Sequence, residues 1–217
     1  MRRQAILFSI LLGVLLLATV NCSMVPQVPW PIPAPTPTPK VRDFALRELF
    51  IDLTTLSPDC RIYEGPMPLS YEENAGAEEA LFAWFHCYHP PEPPDGGMYA
   101  IYRFRDSQTA AKRYRNLAAG WWFYNADRVT PYEVPDWMQY RSPVANQFRF
   151  ACADFYGGYP KVRSERCVAV GQYEEYVAAF SISISPPESM GDHAMLLEQI
   201  LQAIDERMAH FLAEDTE

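Results

Sequence analysis

The sequence predicts an α+β domain: an antiparallel sheet of about five strands covered on one face by two or three helices, in the order α-β-β-α-β-β-β-α. Three observations predict it. Residues 189–212 carry apolar side chains at unbroken three-and-four spacing, which is a helix that must lie on something apolar. Residues 80–105 and 146–185 hold aromatic and β-branched runs of strand length. The connections inside those two stretches are too short for crossover helices, so neighbouring strands pair antiparallel.

Taken in order, RDFALRELFIDL at 42–53 places Leu46, Leu49, Phe50 and Leu53 on one face and reads as the first helix. Residues 59–79, rich in Pro, Gly and acidic side chains, read as irregular. ALFAWFHCYH at 80–89 and MYAIYRFR at 98–105 read as strands about a PPEPPDGG loop. Asp106-Ser107 then supplies an N-cap for a helix over 107–120, with Ala110, Tyr114, Leu117 and Trp121 on its inner stripe. The stretch 121–144 is broken by Pro131 and Pro135 and reads as an extended loop or short strand. Strands follow at 146–155, 166–172 and 175–185, the last two joined tightly near Gln172-Tyr173. The final helix buries Met190, Ala194, Leu197, Leu201, Ile204 and Met208, and Ser189 with Asp192 resembles a capping box.

The chain ahead of this domain, 41–217, has a different character. Met1-Arg2-Arg3 is followed by an uncharged apolar run, Ala5 to Val20, which is the pattern of a signal peptide or membrane anchor over 1–22. Sixteen helical residues span about 24 Å, short of the ~30 Å hydrocarbon core, which favours a signal over a spanning helix. Residues 23–40 hold seven prolines, at 26, 29, 31, 33, 35, 37 and 39, so they form a stiff polyproline II spacer. Cys22 directly after the apolar run resembles the lipidated cysteine of bacterial lipoproteins. Asn21 stands where that signal has a small residue, and an uncleaved anchor or free secretion are the alternatives. The resemblance implies lipidation at Cys22, attachment to the membrane through the N-terminus, and an extracytoplasmic domain.

The remaining cysteines, Cys60, Cys87, Cys152 and Cys167, are even in number, as an oxidising compartment favours. Three pairings exist. Cys60–Cys87 with Cys152–Cys167 is preferred, because the second pair sits on consecutive strand-like runs. The second pair, the strand after it and the terminal helix are also similar, in outline, to the disulfide-bearing extracytoplasmic sensor domains of some bacterial serine/threonine kinases. That likeness assigns no functional residue.

The formal charge is −9, which argues against nucleic acid as a partner and against adhesion of the domain to anionic lipid. No GxSxG, SxxK, HExxH, GxGxxG or phosphate-loop pattern occurs, so no catalytic residue and no cofactor is assigned. His86-Cys87-Tyr88-His89 would need further ligands from elsewhere to hold a metal, and it reads as a disulfide cysteine flanked by surface histidines. The acidic pairs Glu72-Glu73, Glu78-Glu79 and Glu174-Glu175 read as solvated faces. GWWFYNADRVTPYEVPDWMQY carries more apolar area than an irregular loop needs, and Trp121, Trp122, Tyr124, Trp137 and Tyr140 are its candidate ligand-binding residues. The expectation is a membrane-tethered extracytoplasmic binding or sensing module whose partner is an unidentified ligand or envelope protein. A structural or assembly lipoprotein is the alternative, and an envelope hydrolase stands behind it.

Overall fold

Six strands form one antiparallel sheet: β1 Cys60–Pro68, β2 Glu79–Cys87, β3 Asp95–Arg103, β4 Gln147–Gly157, β5 Val162–Tyr173 and β6 Tyr176–Ile184. Their order is β1-β2-β3-β6-β5-β4, so two three-stranded meanders meet where β3 pairs with β6. The structure, a computed structural model, describes residues 42, 44–70, 73–87, 95–122, 128–157, 162–184 and 190–213. All of these belong to one unit, Thr38–Glu217. The signal segment, the proline-rich spacer, Cys22 and Ser189 lie outside the described residues.

The α+β class and the antiparallel pairing are as expected, but the strands number six. The additional strand, β1, comes from the stretch read as irregular. It is an edge strand, exposed along most of its length, so it lacks the apolar alternation that marks a strand in sequence. Its register shifts twice, around Gly65, whose φ of +103° is open to glycine. A Cβ at Gly65 would also lie 2.6 Å from the Phe82 carbonyl oxygen.

The first expected helix is two 3-10 turns instead, Leu46–Leu49 and Leu53–Thr55. The reason is local capping. The Glu48 carboxylate accepts from the Ala45 backbone N–H (2.8 Å) and Asp52 Oδ1 accepts from the Thr54 N–H (3.0 Å), so the backbone restarts twice in twelve residues. Leu46, Leu49, Phe50 and Leu53 are nonetheless buried, as their spacing requires. Beside them Arg42 is clasped by the turn between β5 and β6. Its Nη2 donates to Glu174 (2.6 Å) and its Nε to Glu175 (2.8 Å), with the Arg42 side chain 1% exposed.

Helix α1, Ser107–Asn116, begins where the sequence places it. Asp106 Oδ1 accepts from the Thr109 N–H at 2.6 Å, and that bond, with the Thr109 hydroxyl and Arg105, holds the Asp106 carboxyl below the usual range. The helix loosens into a π-turn, Leu117–Trp121. Helix α2, Ala194–Ala213, is preceded by a 3-10 turn, Met190–His193, and buries Leu197, Ile200, Leu201, Ile204, Met208 and Phe211. Each fully buried aliphatic of that row contributes about 1.5–3 kcal/mol of transfer free energy.

The two helices lie on opposite faces of the sheet, not on one. Helix α1 packs with Ala100, Tyr102, Val168, Val170, Val177 and Ala179, whereas α2 packs with Tyr99, Ile101, Ala178, Phe180 and Ile182. Strand β6 shows why: it is apolar and buried on both sides, so each face needs a cover. Disulfides join Cys60 to Cys87 and Cys152 to Cys167, the preferred pairing, and each links directly opposed residues of an edge strand and its neighbour. No helix among the described residues is long and apolar enough to cross a membrane.

Candidate functional site

The aromatic residues nominated from sequence are divided between the two faces. Trp122 is 3% exposed and packs in the layer beneath α1, where its Nε1 donates to the Tyr102 hydroxyl at 3.3 Å. Trp137 and Tyr140 pack against the other layer, Trp137 edge-on to Phe150 and Tyr140 edge-on to Phe148. The Trp121 side chain and all of Tyr124 lie outside the described residues. Trp122 on one side, and Trp137 with Tyr140 on the other, therefore share no cavity.

The segment carrying them has a structural task. Bridges from Arg128 to Phe155 and from Glu133 to Cys152 lay it along the outer edge of β4. Its Tyr140 hydroxyl then donates to the carboxylate of Asp205 on α2, which also accepts from Tyr173 at 2.6 Å. Asp205 is 3% exposed, so a buried carboxylate is satisfied by two phenols. Burial, followed by the Asp205 charge, pushes the Tyr173 hydroxyl well above its usual pKa, and Tyr140 rises for the same reasons.

Cys152, Cys167 and Glu165 bring their ligand atoms within 4.8 Å of one another, but both sulfurs are spent in the disulfide. Glu165 Oε2 is occupied by the Met190 N–H at 2.8 Å. This is no metal donor set. His86 and Cys87 point to opposite faces: Cys87 enters its disulfide, and His86 lines a different feature.

That feature is a groove of about 410 Å³ on the α1 side of the sheet, beyond the end that α1 covers. Antiparallel register builds its floor. Arg61, His86, Gly96, Ser183 and Arg166 are successive cross-strand partners and share one face. Gly96 supplies the depth, since a Cβ there would come within 3.0 Å of the Phe85 carbonyl and project from the floor. Three strand spacings separate His86 from Arg166, about 14 Å. The walls are aromatic: Tyr63 is 57% and Trp84 38% exposed, and the Tyr63 ring lies 5.1 Å from the His86 ring.

No family model, no curated protein and no solved structure matches the chain. The groove is read from its own side chains.

Arg166 is its chemical centre. Its Nη2 donates to Ser181 Oγ at 3.3 Å and its guanidinium lies 6.0 Å from the Phe155 ring. Its Nε is buried and has no hydrogen-bond partner, and no carboxylate among the described residues pairs with it. Arginine has donors only and stays charged, so a guanidinium that lines the groove without a carboxylate partner among the described residues suits an anionic acceptor. Beyond the far rim Arg61 Nε donates to His86 Nε2 at 3.2 Å. One guanidinium, two serine hydroxyls and two exposed aromatic faces thus line one space. They can hold an anionic group at the Arg166 end and stack a flat apolar surface at the Trp84 end.

Sequence reasoning passed over this site for definable reasons. Trp84 and His86 were visible in ALFAWFHC, with bulky residues on both faces of a strand. Tyr63 fell in a stretch given no structure, and the partnership of Arg166 with residues eighty positions earlier exists only through the β3–β6 junction.

Proposed function

We propose that the protein is a membrane-tethered, extracytoplasmic binding module, and that the groove between Trp84 and Arg166 seats an anion with a flat apolar face. A sugar ring bearing a carboxylate has that chemistry: its ring stacks on Trp84 and Tyr63, and its carboxylate pairs with the Arg166 guanidinium that lines the groove. The Arg166 guanidinium, lining the groove with no carboxylate partner among the described residues, carries the reading. The basic start, apolar run and Cys22 of the N-terminus support the tether, and the disulfides fit a chain that folds in an oxidising compartment.

The test compares glucuronate with glucose in thermal melts and tryptophan fluorescence titrations of the full chain. At a hundredfold excess over Kd a ligand adds about 2.7 kcal/mol, or about 5–10 °C for a domain of this size. The acid is expected to raise Tm and the neutral sugar to leave it unchanged. Arg166→Gln should abolish the difference, and Trp84→Ala should weaken binding of the acid. Equal responses to the two sugars, or undiminished binding by Arg166→Gln, would remove the proposal.

A further inference from the structure

A second surface departs from the character of the domain around it. The chain is acidic, yet residues 105–115 hold Arg105, Lys112, Arg113 and Arg115 against a single carboxylate, Asp106. These four cations line one side of an open hollow of about 580 Å³, closed on the other by Gly76 and Glu78 of the turn that precedes β2. Arg105 is engaged by Asp106 at 2.9 Å. Lys112, Arg113 and Arg115 form no ion pair among the described residues. Arg113 is half-buried and lies over Gly76, where a Cβ would come within 3.1 Å of its Nη2, so the bare turn admits the guanidinium.

The folding of α1 accounts for part of this. Arg113 and Arg115 stand in the last turn of the helix, where cations meet the negative end of the dipole. Lys112 and Arg105 gain nothing from that end. Lys112 and Arg115, three positions apart, repel one another on the same helix face. Concentrated like charge, retained at some cost to the helix around a concave space, is the arrangement of a polyanion site. Guanidinium forks and an ammonium suit phosphate oxygens, and three cations unpaired among the described residues match a ligand with two or more phosphate charges.

We propose that this hollow binds a soluble molecule carrying two or more linked phosphates. The concavity favours a discrete ligand over a bilayer, because its volume is that of a small-molecule site. Glu78 in the wall and the net charge of −9 also oppose close approach of a flat anionic membrane. This site is independent of the aromatic groove and shares no lining residue with it.

Isothermal titration of the full chain at low salt with inorganic tripolyphosphate tests the proposal, with sulfate as the control for simple charge. Tripolyphosphate should bind and sulfate should not. The exposed pair Lys112→Gln with Arg115→Gln should raise Kd by about tenfold or more, while melting as the parent does. Arg166→Gln should leave this binding unchanged, which separates it from the groove. Absence of binding, or a Kd indifferent to the Lys112/Arg115 changes, overturns the proposal. So does a dependence on Lys112 and Arg115 that shows with phosphatidylglycerol vesicles and not with tripolyphosphate, since the occupant would then be a lipid surface.

Discussion

Asp205 shows how much of this protein is decided by single polar groups. Its carboxylate sits in an apolar layer and is tolerable there only because Tyr140 and Tyr173 donate to it. Asp205→Ala leaves the buried Tyr173 hydroxyl and the half-buried Tyr140 hydroxyl without their acceptor and frees the loop that Tyr140 pins to α2. The expected loss is about 3 kcal/mol, read as a Tm lower by about 6–12 °C in a thermal melt. The tyrosines themselves set an alkaline limit. Burial raises Tyr99, Tyr102 and Tyr173 above the ordinary value of 10.0. The unfolded chain sheds those protons near pH 10 and the native chain keeps them, so stability is full below pH 10 and falls as pH rises beyond it. Tyrosinate absorbance should therefore include a steep component coincident with unfolding; smooth titration of all 13 tyrosines near pH 10 in the folded protein would contradict this burial. Little of this was legible beforehand. Tyr140 was singled out for its ring, whereas its hydroxyl does the fastening, and nothing in the spacing of residues 140, 173 and 205 says that they meet.

At the scale of elements, the strands and helices that bury a regular face were readable, and those defined by something else were not. Strands β2 to β6 and both helices announce themselves through period and apolar content. Strand β1 does not, because an edge strand interrupted at Gly65 buries too little to leave a pattern. The segment 42–53 misleads in the opposite sense: its apolar spacing is helical, but the caps from Glu48 and Asp52 divide it into two turns. The disulfides were the most legible long-range contacts, since four cysteines admit few pairings. Each staples an outermost strand to the sheet, across sequence separations of 27 and 15. By the loop-closure account each contributes about 3–3.5 kcal/mol. Cys60→Ala/Cys87→Ala and Cys152→Ala/Cys167→Ala, melted separately, should each lose about 6–14 °C. Hydrogen exchange should rise first in β1 for the former pair and in β4 for the latter. Uniform loosening of the whole sheet in both would refute the assignment of one staple to each edge.

The whole molecule joins two meanders through one strand pair, β3 with β6, and wraps the resulting sheet with one helix on each face. The expectation of helices on one face failed at this scale. A continuous apolar strand such as β6 can belong to a covered two-sided sheet, and the reading gave its second face no helix. The groove is the remainder of that arrangement, the portion of the α1 face that a ten-residue helix is too short to reach. If the chain is tethered through Cys22, a Cys22→Ala variant should move from the membrane fraction to the soluble fraction with the melting temperature of its domain unchanged. Retention in the membrane would instead indicate that the apolar run of 5–20 is itself the anchor.

The clasp on Arg42 has a mechanical side. A pull on an edge strand peels hydrogen bonds one at a time. Here the chain ahead of the sheet is gripped by Glu174 and Glu175, at the hairpin between β5 and β6, away from either margin. Tension arriving from the N-terminal side first meets a paired guanidinium and passes to strands bonded on both flanks. The edge strand β1 is left out of the line of force, and a domain held in that way can be tugged at its stalk without being unravelled from its edge.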